Sequence, residues 1–258
     1  MSAHALLLMA VAAVAGSLDK TGFVEFQADP SPGLLINTTA GMRPFDPPDP
    51  TRPAVIMIHG LNPTPWLVRI PEAERLGEAV GRRGGPPINV LGWDWNGDTY
   101  ASVRMKPNQA HAVDHGRMLA RAILAAGIPP EHVHLIGHST GAIVAASAAR
   151  ALQEATGRPV AQVTLLDPAT PYHDLVFNRI AVGRQARVVH HFWAPGPSGF
   201  SQPVGSPGVT DIRVDVPGGW YGLVNLLQSS HLNTARWYVA TAGDPTMPGG
   251  FNASVFAR

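Results

Sequence analysis

Apolar residues along this chain fall into short continuous runs that alternate with longer segments of helical periodicity. The runs that predict strands are 54–59, 88–95, 132–137, 161–166, 187–193 and 211–216, with two earlier short strands at 22–27 and 33–39. Helices are expected at 71–80, 108–126, 141–152 and 231–241. Buried strands that alternate with helices imply a mostly parallel central sheet with helices on both faces. The sequence therefore predicts an α/β fold.

Length and composition narrow the class of protein further. The chain has 258 residues and no interior linker or repeat, so we expect one α/β domain over residues 16–258. The formal net charge is +1 and Lys and Arg do not cluster, which argues against a nucleic-acid partner and a polybasic membrane anchor. The chain has no cysteine, which excludes disulfides, thiolate nucleophiles and cysteine-bound zinc.

The N-terminus carries an apolar run that resembles a signal peptide. Residues 5–15 (ALLLMAVAAVA) end in an A-x-A pattern and are too few to span a bilayer as a stable helix. No Lys or Arg precedes the run, in contrast to the usual signal pattern. We expect residues 1–15 to be a signal peptide of a secreted or periplasmic protein; a chain that kept them would be cytoplasmic.

A G-x-S-x-G pentapeptide occupies residues 137–141 (GHSTG). The apolar strand HVHLI leads into it and an Ala-rich helix follows, which is the strand–turn–helix setting of a nucleophile elbow. Such a turn presents the serine hydroxyl above the sheet at a helix N-terminus, where peptide N–H groups can stabilise an oxyanion. We therefore expect Ser139 to be a nucleophile and the Thr140 N–H to be an oxyanion donor.

A serine nucleophile needs a base, and the base needs an acid that orients it. In folds with this elbow the partners follow in the chain order serine, acid, histidine. Asp167 closes the strand at 161–166, and His231 is the only histidine after His191. Asp167 and His231 are therefore the predicted acid and base. Asp174 and His173 are the weaker alternatives, because one lies deeper in the loop and the other only six residues from Asp167.

Most other histidines are expected to have structural roles, because they lie along predicted strands. They occupy positions 132, 134, 138, 190 and 191, and one of the last two is expected to face the core. His111 and His115 have an i, i+4 spacing that could bind a metal, but no third ligand is evident. We expect no metal site and no organic cofactor.

A second oxyanion donor is expected in the loop after the strand at 54–59. That strand leads into the sequence HGLNP, which matches the H-G loop that follows an early strand in lipases and esterases. The backbone N–H of Leu61 is the predicted donor. Trp66 and Leu67 follow shortly after and could form either a wall of an acyl site or part of the core.

Several segments together resemble the pancreatic-type lipase family of the α/β-hydrolase superfamily. They are the H-G loop, VLGWDW at 90–95, HVHLIGHSTGA at 132–142, LLDPA at 165–169, the segment from Gly199 to Gly205, and the segment from Ser230 to Tyr238. The match is collinear from about residue 54 to 240 and covers most of the chain. The resemblance implies an α/β-hydrolase fold with Asp167 as the acid and His231 as the base.

The chain also departs from that family. The family's disulfides are absent, and only residues 219–230 occupy the place of its long lid. Trp220, Tyr221 and Leu223 in this short segment could line an acyl pocket or belong to the core. We therefore expect a bacterial-like variant with a single catalytic domain, closer to an esterase or a small-lid lipase than to a lipase with strong interfacial activation.

The predicted function is the hydrolysis of carboxylic esters through an acyl-enzyme on Ser139. Phospholipase, thioesterase and acyltransferase activity remain alternatives on the same three residues. A non-catalytic lipid-binding protein on a lipase scaffold is a further alternative, although such proteins lose members of the triad. The expected partner is a small-molecule or lipid ester substrate, with at most peripheral contact with a lipid surface.

Overall fold

The structure, a computed structural model, describes residues 23–25, 48–60, 71–93, 95, 105–195, 201–215 and 222–257. The apolar N-terminal run and the predicted strand at 33–39 lie outside the described residues. The same holds for five candidate site residues, namely Leu61, Trp66, Leu67, Trp220 and Tyr221. Leu223 is described only as part of a helix backbone.

Seven strands of the described residues form one sheet. They are β1 (Phe23–Glu25), β2 (Ala54–Ile58), β3 (Asn89–Trp93), β4 (Val133–His138), β5 (Val160–Leu166), β6 (Ala186–Trp193) and β7 (Thr210–Arg213). Their order in the sheet is β1-β3-β2-β4-β5-β6-β7. Only the β1–β3 pair is antiparallel, and every other neighbouring pair is parallel. The predicted mostly parallel sheet is confirmed.

Four helices of the described residues cover the two faces of the sheet. They are α1 (Pro71–Arg83), α2 (Met105–Ala125), α3 (Gly141–Thr156) and α4 (Gly222–Gly243). Along β2 the side chains alternate: Val55 and Met57 pack with residues of α1 and α4, whereas Ile56 and Ile58 pack with residues of α2 and α3. A strand that is buried on both sides explains why its sequence is continuously apolar. Among the described residues, no helix combines the length and the apolar character that crossing a membrane requires.

The last helix begins earlier than the sequence predicts. We expect a helix from residue 231, but α4 begins at Gly222, so His231 is the tenth of its 22 residues. The physical reason is that the two serines before His231 do not end the helical backbone that the preceding apolar residues adopt. His231 therefore lies inside a helix and not at its first turn.

The strand order creates a crevice at the carboxyl edge of the sheet. β2 lies between β3 and β4 and runs parallel to both. The chain goes from β2 to β3 on one side of β2 and then returns to β4 on the other side, so the strand order reverses at β2. In open α/β sheets such a switch point is the usual place of a ligand site. The H-G loop and the G-x-S-x-G turn both lie there.

Helices α2 and α3 approach each other closely at Gly116. A Cβ atom at this position would collide with the Cβ atom of Ser147 and lie 2.8 Å from the carbonyl oxygen of Val144. Gly116→Ala is therefore expected to push the helices apart and to lower the free energy of unfolding by about 1–3 kcal/mol. The melting temperature would measure this loss.

The matched control is Gly243→Ala at the end of α4. A Cβ atom there would lie 3.7 Å from the Cβ atom of Ala79, which is an ordinary contact. This variant should melt at or slightly above the wild-type temperature, because alanine has the higher helix propensity. Equal melting temperatures for wild type and Gly116→Ala would show that the helices are not packed this closely.

Candidate active site

The G-x-S-x-G turn joins the end of β4 to the start of α3. Ser139 has a φ of 54°, in the left-handed region that residues with a side chain seldom adopt. A Cβ atom on Gly137 would collide with the carbonyl oxygen of Gly141, and one on Gly141 would lie 2.5 Å from the carbonyl oxygen of His59. The two glycines therefore allow the sharp turn, and the N–H of Ser139 donates to the carbonyl of Leu166 at 2.9 Å.

Asp167 follows the last residue of β5 and also has a positive φ, 48°. Its backbone N–H donates to the carbonyl of Phe192 at 2.8 Å, and its Oδ1 accepts from the N–H of Ala194 at 3.0 Å. The residue is only 2% exposed. The end of β6 therefore holds the backbone and one carboxylate oxygen of Asp167. The other carboxylate oxygen, Oδ2, accepts from a second donor.

That second donor is His231 on α4. Its Nδ1 donates to Oδ2 of Asp167 at 2.8 Å. A neutral imidazole that carries its proton on Nδ1 has Nε2 as an acceptor, which is the tautomer that a general base needs. The side chain of His231 is 14% exposed, compared with 2% for Asp167, so the base is more accessible than the acid behind it.

The residue before the nucleophile connects the turn to this pair. The ring centroids of His138 and His231 are 4.5 Å apart, and Nε2 of His138 donates to the carbonyl oxygen of His231 at 3.1 Å. His138, the residue before Ser139, therefore contacts the base. The backbone N–H of Ser139 is bonded to Leu166, the residue before the acid Asp167. The ends of β4 and β5 and the middle of α4 meet at the switch point.

The oxyanion donors are only partly within the described residues. Thr140 occupies the N-cap of α3 at the positive end of the helix dipole and is 2% exposed. The loop after β2 passes directly against the nucleophile, since a Cβ atom on Gly60 would lie 2.7 Å from the Cβ atom of Ser139. Leu61, the next residue, lies outside the described residues, and its role as a donor stays a prediction.

Trp95 is hydrogen-bonded to His59 in the H-G loop, a contact that the sequence did not indicate. Its backbone N–H donates to Nε2 of His59 at 3.2 Å, and its indole N–H donates to the carbonyl of His59 at 2.9 Å. His59 in turn donates from Nδ1 to the carbonyl of Gly60 at 2.7 Å. The position of Trp95 follows from the strand order: it comes after β3, the parallel neighbour of β2, so the residues after both strands start at the same edge of the sheet.

The alternative acid and base have other hydrogen-bond partners. Asp174 is exposed and accepts hydrogen bonds from Asn178 at 3.3 Å and Arg179 at 2.8 Å, and these two bonds lower the pKa of its carboxyl group. His173 donates from Nε2 to the carbonyl of Pro168 at 3.1 Å. Neither residue approaches the G-x-S-x-G turn through these contacts.

The histidines that could have formed a metal site have other contacts. His115 is buried, and its Nδ1 accepts from the indole N–H of Trp93 at 3.4 Å. Within the described ranges, no group of three or more His, Cys, Asp or Glu residues is placed to hold a metal ion.

A second Ser-His-Asp arrangement lies in the interior. His191 contacts Asp211 through Nδ1 at 2.7 Å and Ser201 through Nε2 at 3.3 Å. His191 is 0% exposed and Ser201 is 1% exposed, so a substrate cannot reach either residue. His190, in contrast, is only partly buried, so it is His191 that faces the core. The hydrogen bond between His191 and Asp211 connects β6 to β7.

Comparisons with known proteins identify the family of the chain. The sequence profile of the family described as Lipase matches residues 51–179, half of the chain. Pancreatic lipase-related protein 2 of Bos taurus is 29% identical over 143 residues, which cover 46% of this chain and 29% of the relative. Pancreatic triacylglycerol lipase of Myocastor coypus is 29% identical over 218 residues, which cover 74% of this chain and 45% of the relative.

The chain therefore spans less than half the length of these curated relatives. Among solved structures, an esterase of Pyrobaculum calidifontis superposes with a TM-score of 0.41 at 15% identity, covering 94% of this chain and 93% of that chain.

Proposed function

The chain belongs to the lipase family, and from this premise we propose that it is a serine hydrolase that cleaves carboxylic esters. The observation that carries the proposal is the 2.8 Å hydrogen bond between His231 and Asp167 beside the nucleophile elbow. A serine on a strained strand–helix turn, a histidine of the correct tautomer and a buried carboxylate behind it together form an acyl-transfer site.

In the proposed first step, His231 removes the proton from Ser139 while the serine oxygen attacks the ester carbonyl. Nε2 of His231 is the acceptor, because Nδ1 donates to Asp167. Asp167 keeps the imidazole in this tautomer and stabilises the imidazolium that forms. The proton then passes from His231 to the leaving alkoxide, which departs and leaves an acyl group on Ser139.

Two backbone N–H groups would stabilise the oxyanion of the tetrahedral intermediate. They belong to Thr140, at the N-terminus of α3, and to Leu61, within the H-G loop. One donor of this kind typically contributes about 2.7–4 kcal/mol to transition-state stability. Water then attacks the acyl-enzyme with His231 as the base again, and this reaction scheme uses no metal or organic cofactor.

The first residue of α4 limits the length of any lid segment before it. The helix already includes residues 222–230, so only residues 216–221 lie between Asp215 and the first residue of α4. A segment of this length cannot cover a long acyl groove in the way that a large lid does. We therefore propose an esterase or a small-lid lipase that acts on a small-molecule or lipid ester and contacts a lipid surface only peripherally.

We also propose that the protein is exported. This proposal rests on the apolar run at residues 5–15. Mass spectrometry of the N-terminus of the protein recovered from the medium or periplasm would test it; an intact Met1 in the cytoplasmic fraction alone would reject export.

The activity is tested by hydrolysis of p-nitrophenyl esters from acetate to palmitate. The wild type is expected to turn over acetate to octanoate fastest, without a rise in rate above the solubility limit of the ester. A preference for palmitate with a sharp rise above that limit would instead indicate a lipase with interfacial activation. No turnover of any ester would reject ester hydrolysis and favour transfer of acyl groups to other acceptors or simple lipid binding.

A further inference from the structure

We propose that His138 is a positioning residue for the base: its side chain ties the backbone of His231 to the strand that carries Ser139. The inference rests on the proposed function, because it concerns the same site. Two contacts support it, namely the bond from Nε2 to the carbonyl oxygen of His231 at 3.1 Å and the approach of the two rings to 4.5 Å.

The hydrogen bond connects the nucleophile and the base by a short route. His138 is the last residue of β4 and is covalently joined to Ser139, while His231 lies inside α4. The imidazole of His138 therefore bridges β4 and α4 at this level. Asp167 holds the other side of the base, because its carboxylate accepts from Nδ1 of His231. Asp167 thus sets the orientation of the ring, whereas His138 sets the position of its backbone.

His138 is the donor in this hydrogen bond. Burial lowers the pKa of His138 to about 3, and the neighbouring His231 contributes in the same direction, because two cationic rings would repel each other. The imidazole therefore stays neutral and carries one proton. That proton lies on Nε2, since a carbonyl oxygen can only accept. A ring with so low a pKa is a weak base, so His138 does not compete with His231 for the proton of the nucleophile.

The ring contact restricts the base as well. The two rings are tilted by 31°, so the face of His138 covers part of the His231 imidazole. His231 is consequently bounded by a ring on one side and a carboxylate on another. This restriction holds the base near the geometry it needs, and a displacement of about 1 Å in such a group can reduce a rate about 100-fold.

Two substitutions distinguish the effect of the N–H donor from the effect of the ring contact. His138→Phe keeps a ring in contact with His231 but removes the N–H, and His138→Gln replaces the ring but keeps an N–H at a position similar to Nε2. We expect His138→Phe to lower kcat about 10-fold or more with KM within about 2-fold, and His138→Gln to recover most of kcat. Titration with a fluorophosphonate counts the folded active sites, so that kcat is expressed per site.

His134 provides the matched control on the same strand. It is fully buried, burial lowers its pKa to about 3, and it is bonded to Thr164 at 2.8 Å and Ser254 at 2.9 Å, away from the base. His134→Phe is expected to lower the melting temperature while kcat per titrated site stays within about 2-fold of wild type.

Wild-type kcat per site in His138→Phe would overturn the inference. Equal losses of kcat in His138→Phe, His138→Gln and His134→Phe, in step with their melting temperatures, would also overturn it, since that pattern requires only a structural role. A wild type that hydrolyses no ester but is labelled at Ser139 by the fluorophosphonate would reject the proposed function alone. The rate at which the fluorophosphonate labels Ser139 would then replace kcat in the comparison of the variants. Slower labelling of His138→Phe alone would support the inference, and wild-type labelling would overturn it.

Discussion

Replacing Ser139 with alanine is expected to lower kcat for p-nitrophenyl ester hydrolysis by about 10⁴-fold or more. The physical reason is that alanine has no side-chain oxygen with which to attack the ester carbonyl, so the acyl-enzyme at this position cannot form. Only the oxyanion donors and substrate binding would remain, and these support a small residual rate. KM should change little, because the serine oxygen forms its decisive bond only in the transition state.

The fold should survive this substitution. Alanine at a φ of 54° is no less compatible with the turn than the wild-type serine, and Ser139 is 7% exposed. Circular dichroism and the melting temperature would confirm that the loss of activity is not a loss of structure. The fluorophosphonate should no longer label the protein.

Ser147 provides the control for the loss of a serine hydroxyl. It lies on α3, is 5% exposed, and its Oγ has no hydrogen-bond partner among the described residues. Ser147→Ala removes an unsatisfied buried group and is expected to retain full activity with equal or greater stability. Ester hydrolysis that persisted in Ser139→Ala above a few per cent of the wild-type rate would show that another residue is the nucleophile.

Asp167→Asn is expected to lower kcat by about 10⁴-fold with little change in stability or KM. The amide is nearly isosteric with the carboxylate, and its oxygen can still accept from the N–H of Ala194. Its NH₂ group then faces Nδ1 of His231, where the carboxylate oxygen stood. Two donors cannot pair, so the imidazole moves its proton to Nε2 and can no longer accept the proton of Ser139.

The control for this substitution is Asp174→Asn. Asp174 was the alternative acid in the sequence, and it lies exposed beside Asn178 and Arg179. Loss of an exposed charge pair is expected to leave kcat within about 2-fold of wild type. Measurement of kcat per fluorophosphonate-titrated site would compare the two variants directly. A large loss of kcat in Asp174→Asn, with normal kcat in Asp167→Asn, would show that Asp174 is the acid and that Asp167 is not.

Much of the fold could be predicted from short segments of sequence. The run AVIMI predicts a strand buried on both faces, and β2 is buried at all five positions. The G-x-S-x-G pentapeptide predicts a strand–turn–helix unit because only glycines fit beside such a turn, and the contacts of Gly137 and Gly141 agree. These features depend on residues close together in the chain, so local steric rules and apolar periodicity are enough to predict them.

Other parts of the site could not be predicted in this way. His138 was expected to be an ordinary strand histidine, yet it contacts His231, which lies 93 residues later. Trp95 was seen only as part of a motif, yet it holds His59 through two hydrogen bonds. The start of α4 was placed nine residues too late, because the polar residues before His231 do not stop a helix that is packed on the sheet.

The sequence by itself determined the α/β fold, the nucleophile turn and the chain order that selects Asp167 and His231 as its candidate partners. Only the tertiary structure decided which side chains surround them. The reason is that the parallel strands end at one edge, and their order in the sheet differs from their order in the chain. Loops that are distant in sequence therefore meet at the switch between β2 and β4. Periodicity identifies each strand, but it contains no information on which loop each strand will have as its neighbour.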